Sequence, residues 1–276
     1  MKKRFKGSLA VLGIMALMGL ILAGCSSSKQ DNSVKNIQNK KTLTVGTSAD
    51  YAPFEFPIVK NGKKQIVGYD MLIAKKIADN LGVKLKIENT EFPSLISELK
   101  NKKIDLILAG MVATTQRRKV VAFSKSYYTV KNVLLVQKGN AAKFKTAAAV
   151  KGKQIGAQQT TTQESIAKNQ LKGANVVTES NLTSLTTELA QGKLAGVVVE
   201  NEIADNYLRH YPNKYAVAQV KLQTPKNERS VNIAIRKSDK ALLKRVNKVL
   251  TKLQQNGEMT KMLKRAQALQ DKYSSK

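Results

Sequence analysis

The chain has 276 residues, 48 of them Lys or Arg and 19 Asp or Glu, for a formal net charge of +29. A 42% hydrophobic content supports a packed core and excludes a disordered chain. One cysteine excludes an intramolecular disulfide, one histidine excludes a multi-histidine metal site, and 5% aromatics with no Trp argue against a base-stacking nucleic-acid binder.

Lys2, Lys3, Arg4 and Lys6 precede an unbroken apolar run from Leu9 to Ala23, the length of a signal core and short for a membrane span. The run ends in Leu22-Ala23-Gly24-Cys25, followed by Ser26-Ser27-Ser28, which resembles a bacterial lipobox. That resemblance implies a leader over 1–24, cleavage before Cys25 and diacylation of Cys25. Residues 26–41 are polar and aperiodic and read, with Cys25, as a flexible tether. Nothing later is apolar and long enough to span a bilayer. The expectation is an exported protein, held by lipid to the outer face of the cytoplasmic membrane of a Gram-positive cell, with a soluble body.

From Thr42 strands alternate with helices. Leu43, Val45 and Thr47 mark a strand. Ile73, Ile77 and Leu81 recur every four residues and predict a helix over Tyr69 to Leu81, stopped by Gly82. Val83, Leu85 and Ile87 alternate as a strand, Ser94 to Lys100 is a short helix, and Ile104 to Ala109 is a buried strand ending at Gly110. The second half repeats this: strand Gln154 to Ala157, helix Thr162 to Gln170, strand Asn175 to Thr178, a helix through Leu182, Leu185 and Leu189 stopped by Gly192, and strand Ala195 to Val199 ending at Glu200. This alternation predicts parallel α/β sheets. Ser94 to Leu99 matches Ser184 to Leu189, and Lys103-Ile104 matches Lys193-Leu194 at the same offset. The match suggests two similar α/β lobes, and an α/β grammar common to both halves would also produce it. Ligands of such sheets bind beyond the carboxyl ends of the strands, where Gly110 and Glu200 both fall.

The segments TLTVGTSADYAPFEF (42–56), VGYDMLIAKKIADNLG (67–82), IDLILAGMVATTQRRKVVAFSKSYY (104–128), KGKQIGAQQTTTQES (151–165) and GKLAGVVVE (192–200) closely resemble the family 3, polar-amino-acid solute-binding proteins of bacterial ABC importers. The basic composition and lipobox also resemble the basic surface lipoproteins of lactobacilli, some described as cystine binders or adhesins. The family resemblance implies a type II periplasmic-binding-protein-like fold: two α/β lobes joined by two hinge strands. It puts 42–130 and 233–276 in the first lobe and 131–232 in the second, with crossings at Tyr128–Val133 and Ser230–Ile233. It implies a free amino acid as ligand, ABC permease subunits as partners, a monomer, and neither cofactor, metal nor nucleic acid.

The same resemblance assigns the site. Arg117 would fork onto the ligand carboxylate. The Val112 N–H and the Gly110 carbonyl would line the pocket, although many relatives carry Ser or Thr in place of Val112. Gln158 to Thr162 leads into a helix, and Thr161 with Glu164 has capping-box spacing, so Thr161 is placed on the carboxylate at a helix N-terminus. Relatives usually carry Gly where this chain has Thr160. Glu200 would accept the ammonium. Asp50, Tyr51, Phe54 and Phe92 would hold the side chain, with Phe54 also suited to the core. His210 reads as a surface residue. Catalysis finds no Ser/His/Asp set to support it. The net charge leaves adhesion to anionic polymers or host matrix as an alternative or additional role. The sequence leaves the ligand open among basic and amide amino acids and cystine.

Overall fold

A computed structural model describes residues 31–274; the expected leader, Cys25 and the first residues of the tether lie outside the described residues. In chain order the elements are α1 (Ser33–Asn39), β1 (Thr42–Thr47), the hairpin β2 (Phe56–Lys60) and β3 (Lys63–Val67), α2 (Tyr69–Leu81), β4 (Lys84–Asn89), α3 (Leu95–Lys100), β5 (Leu106–Ile107), α4 (Thr115–Val120) and β6 (Ala122–Thr129). Then come β7 (Asn132–Gln137), β8 (Gln154–Gln158), α5 (Thr162–Gln170), β9 (Asn175–Glu179), α6 (Leu182–Ala190), β10 (Gly196–Glu200), α7 (Asn201–His210), β11 (Tyr215–Val217), β12 (Ser230–Ile235), α8 (Lys240–Gln255) and α9 (Glu258–Ser274).

Among the described residues ten strands form two five-stranded sheets with one strand order, β4-β1-β5-β12-β6 in the first and β9-β8-β10-β7-β11 in the second, and β2 and β3 form a separate two-stranded sheet. In each five-stranded sheet, the first three strands run parallel and the strands from the crossings run antiparallel to their neighbours. The sheets are therefore mixed, where alternation alone predicted parallel ones. A chain that leaves one lobe for the other and returns must contribute returning strands. Only Val130 and Lys131 separate β6 from β7. Ser230 already pairs with Thr129, so the chain is back in the first sheet before the expected 233.

The repeated sequence has a packing counterpart. A Cβ on Gly46 of β1 would lie 2.3 Å from Ile104 and 3.1 Å from Leu95. A Cβ on Gly156 of β8 would lie 2.7 Å from Leu194 and 3.0 Å from Leu185. These are the matched residues of the two halves, so each lobe seats the same helix and strand over a bare backbone. Ile73, Ile77 and Leu81 of α2 are all buried. The expected strand Ile104 to Ala109 is regular only over Leu106–Ile107. Asp105 breaks its start by accepting hydrogen bonds from the Thr44 N–H at 2.8 Å and Lys40 Nζ at 2.6 Å.

Two expectations are corrected. The tether is not flexible through 41, because Ser33–Asn39 is helical and Ile37 is 2% exposed in the first lobe's core, with Val34 packed beside it. Ser33 Oγ accepts from the Leu242 N–H at 3.2 Å, and Gln38 donates to the Leu81 carbonyl at 3.3 Å. His210 is not a surface residue: its side chain is 11% exposed, with Nε2 3.0 Å from an Asp271 oxygen of α9. A buried Ile→Ala truncation costs about 2–5 kcal/mol, and each kcal/mol moves Tm by about 2–4 °C at this size. Ile37→Ala should therefore lower Tm by at least several degrees in scanning calorimetry. An unchanged Tm would return α1 to the status of a tether.

Candidate functional site

The carboxyl ends of both sheets' parallel strands border a narrow cavity. Asp50, Tyr51, Glu55, Phe92, Ala109, Gly110, Val112 and Arg117 line it from the first lobe, and Gln158, Thr161, Thr162, Gln163 and Glu200 from the second. Arg117 is the only cation among the described residues that line it.

Arg117 is placed by a cap. Thr114 Oγ1 accepts from the Arg117 N–H at 3.2 Å and starts α4. The side chain then turns back into the cleft, where the Phe92 ring lies 5.1 Å from its Cζ. Nη1 donates to the Val112 carbonyl at 2.6 Å, and Nη2 donates across the cleft to the Thr160 carbonyl at 2.9 Å. A guanidinium carries five N–H donors, so donors remain for a ligand carboxylate. Burial pulls its pKa down to about 10, which leaves it cationic at neutral pH.

Thr160, in the position where relatives usually carry Gly, has φ of +60°. A β-branched residue is strained there, by about 1–2 kcal/mol. That conformation aims the Thr160 carbonyl at Arg117 and leads into α5. Thr161 caps α5: its Oγ1 accepts from the Glu164 N–H at 3.2 Å and donates to the Gln158 carbonyl at 2.6 Å. Thr161 lines the cavity, and the cap engages its hydroxyl as donor and acceptor. The Thr162 and Gln163 N–H groups in the first turn have no intrahelical acceptor and offer the anion site instead.

Glu200 ends β10 at 2% exposure. Gln163 Nε2 donates to its Oε1 at 3.3 Å and to Asn132 Oδ1 at 2.9 Å, which fixes the carboxyl in the cleft. Burial pushes the Glu200 pKa up to about 8, against hydrogen bonds from Gln163 and Tyr51 and the Arg117 charge.

The turn from Tyr51 to Glu55 is closed by paired backbone hydrogen bonds of 3.0 and 3.2 Å. It sends Tyr51 and Glu55 into the cavity and Phe54 away from it. Phe54 is 0% exposed, stacked among Tyr51, Tyr69 and Tyr128, and does not line the cavity, which corrects its assignment to the side-chain pocket. Glu55 is fully buried facing the Asp70 carboxyl, and neither of its oxygens meets a donor in hydrogen-bond geometry among the described residues. Burial first, and then the Asp70 charge, push its pKa well above the ordinary carboxyl range. Asp70 Oδ2 accepts from the Gly110 N–H at 2.9 Å and the Tyr127 hydroxyl at 2.7 Å; burial lifts its pKa to about 6. Gly110 has φ of +55°, and a Cβ there would lie 3.1 Å from the Tyr51 ring, so both conformation and space call for glycine.

Asp50 reaches across the cleft. Its Oδ2 accepts from the Leu182 N–H, at the start of α6, at 2.5 Å and from Gln158 Nε2 at 3.5 Å. It lines the cavity and also ties the lobes together. Burial raises its pKa to about 6. The described residues contain no group of three or more His, Cys, Asp or Glu arranged to hold a metal ion.

Glu55, Thr162, Gln163 and Ala109 were missed from sequence. For Glu55 the available signal was an acid wedged between Phe54 and Phe56. For Thr162 and Gln163 it was their place in the first turn after the cap. Gly in a helix or strand interior costs about 0.5–1 kcal/mol, whereas Thr160→Gly relieves a left-handed threonine. Thr160→Gly should therefore leave Tm unchanged or raise it by a few degrees in a thermal melt. A fall of several degrees would contradict the strain.

Residues 43–267 match the family model for bacterial extracellular solute-binding proteins, family 3. The chain is similar to the arginine-binding extracellular protein ArtP of Bacillus subtilis, at 31% identity over 92% of this chain and 96% of the relative. It is similar to the L-cystine-binding protein TcyJ of Escherichia coli, at 26% identity over 99% of this chain and 97% of that protein. A crystal structure of an amino acid ABC transporter substrate-binding protein from Streptococcus pneumoniae bound to L-arginine superposes with a TM-score of 0.82 at 36% identity, covering 86% of this chain and 98% of that one. With a family match across most of its length and two α/β lobes closing on a polar cleft, this chain belongs to the family 3 bacterial extracellular solute-binding proteins.

Proposed function

We propose that the protein is the substrate-binding lipoprotein of an amino-acid ABC importer, anchored through Cys25, and that it captures a cationic amino acid without transforming it. The observation that carries the substrate is the charge of the cleft. Asp50, Glu55 and Glu200 line it and Asp70 lies behind Glu55, against the single guanidinium of Arg117. Uncompensated buried carboxyl groups are costly, and a ligand carrying two ammonium-type charges and one carboxylate offsets them.

In this reading Arg117 and the first-turn N–H groups of α5 receive the α-carboxylate. Glu200, held by Gln163, receives the α-ammonium. Tyr51 and Phe92 enclose the stem, and Glu55 with Asp50 faces the cationic end. The chain divides into lobes near Val130 and Arg229. Because the groups come from both lobes, the ligand binds the closed shape better than the open one and drives hinge closure. The closed, loaded shape is what the permease receives. The arginine- and cystine-binding relatives support an amino acid, and the cleft charge favours the cationic choice over cystine.

The unlipidated mature chain should give heat on titration with L-arginine or L-lysine and none with L-glutamate. Truncating one partner of a desolvated charge pair costs about 2–5 kcal/mol, so Arg117→Ala and Glu200→Ala should each weaken binding about 30- to several-thousand-fold. Glu55→Gln should narrow the preference for L-arginine over L-glutamine. Full affinity in Arg117→Ala would remove the carboxylate assignment, and tighter binding of L-glutamate or cystine would remove the cationic one.

A further inference from the structure

The helix α8 carries Lys240, Lys244, Lys248 and Lys252, one every fourth residue, and all four are exposed. At 1.5 Å and about 100° per residue they form a row about 18 Å long that winds through about 120° of the helix surface. Leu242, Val246, Val249, Leu250 and Leu253 are buried on the opposite side. The sixteen residues of α8 contain no Asp or Glu, and none of the four lysines forms an ion pair with a described residue.

Local physics disfavours this arrangement. Like charges at i,i+4 repel, and a lysine in the first turn opposes the helix dipole. Three helix cations elsewhere are offset: Lys75 pairs with Asp79, Lys168 with Glu164, and Lys76 with Glu258. The α8 row is left without such partners, and a flat anionic surface would supply them.

The place of α8 selects the surface. Helix α1 is seated on α8, where Ser33 Oγ accepts from the Leu242 N–H at 3.2 Å. In sequence Cys25 precedes Asn32 by seven residues, and seven residues span at most about 25 Å. A lipid on Cys25 thus keeps α1 within that reach of a bilayer.

We propose that the Lys240–Lys252 row of α8 is a docking face for an anionic phospholipid bilayer. The proposal rests on the reading of Cys25 as the lipid-bearing residue. The row belongs to the first lobe, so the docked protein keeps its second lobe free to swing.

The test uses residues 25–276 with Cys25→Ser, since residues from Asn32 onward form one compact unit with its own core. Sedimentation with phosphatidylglycerol/phosphatidylcholine vesicles in 0.1 M salt should show binding that phosphatidylcholine alone does not support. Each lysine near such a surface is worth about 1 kcal/mol, or about fivefold, so Lys→Gln at all four positions should lower the partition coefficient at least 50-fold. Lys→Gln at Lys60, Lys63, Lys64 and Lys193, exposed and removing the same charge elsewhere, should lower it less than about fivefold. L-Arginine affinity should be unchanged in both variants, which shows that they are folded.

Equal losses in the two variants would reduce the effect to net charge and overturn the proposal. So would absence of binding to the anionic vesicles, or a preference for soluble polyglycerol phosphate that the α8 variant abolishes. Mass spectrometry of Cys25 in protein extracted from membranes reads the anchor separately. An unmodified Cys25 would fail the anchor reading and overturn the reason for the bilayer, while the vesicle data fail or sustain the lysine row itself.

Discussion

A buried guanidinium organises the cleft. Arg117 donates to the Val112 carbonyl on its own lobe and to the Thr160 carbonyl on the other. Removing a charge from water is tolerable only when partners surround it, and here those partners belong to both lobes. The Thr114 cap, the Phe92 ring and the left-handed turn at Thr160 all serve that one placement. Asp50 repeats the device with opposite sign, with a first-lobe carboxylate seated at the start of a second-lobe helix. Closure and ligand recognition therefore draw on the same atoms.

Charge is divided by depth. The chain is strongly basic, yet the carboxyl groups of Glu55, Asp70 and Glu200 are buried in or beside the cleft. Burial makes each harder to ionise; Gln163 donates to Glu200, Gly110 and Tyr127 donate to Asp70, and Arg117 is the only cation among the described residues at the cavity wall. A cation-bearing amino acid changes that balance directly. The exterior keeps the cations, and the α8 row concentrates them without the i,i+4 acids that α2 and α5 use.

Much of the fold was legible because periodicity and packing agreed. The helix over Tyr69 to Leu81 was bounded by its four-residue repeat and Gly82, and the matched segments at 94–104 and 184–194 occupy equivalent seats over Gly46 and Gly156. The antiparallel strands at the crossings were harder, since alternation along the chain says nothing about a strand that returns from another lobe. Helix α1 was hidden because only Val34 and Ile37 carry its apolar face within a polar run. In the site, motif position located Arg117 and Glu200 in the cleft. It could not tell that the Tyr51–Glu55 turn faces Glu55 inward and Phe54 into the core, because alternation of side chains fails inside a tight turn.

The most direct test is a crystal structure of the protein grown with saturating L-arginine. The electron density should place the α-carboxylate against Arg117 and the first turn of α5, the α-ammonium on Glu200, the side-chain stem between Tyr51 and Phe92, and the guanidinium facing Glu55 and Asp50. An empty cleft at saturating ligand, or an arginine lying with its carboxylate toward Glu55, would contradict the account.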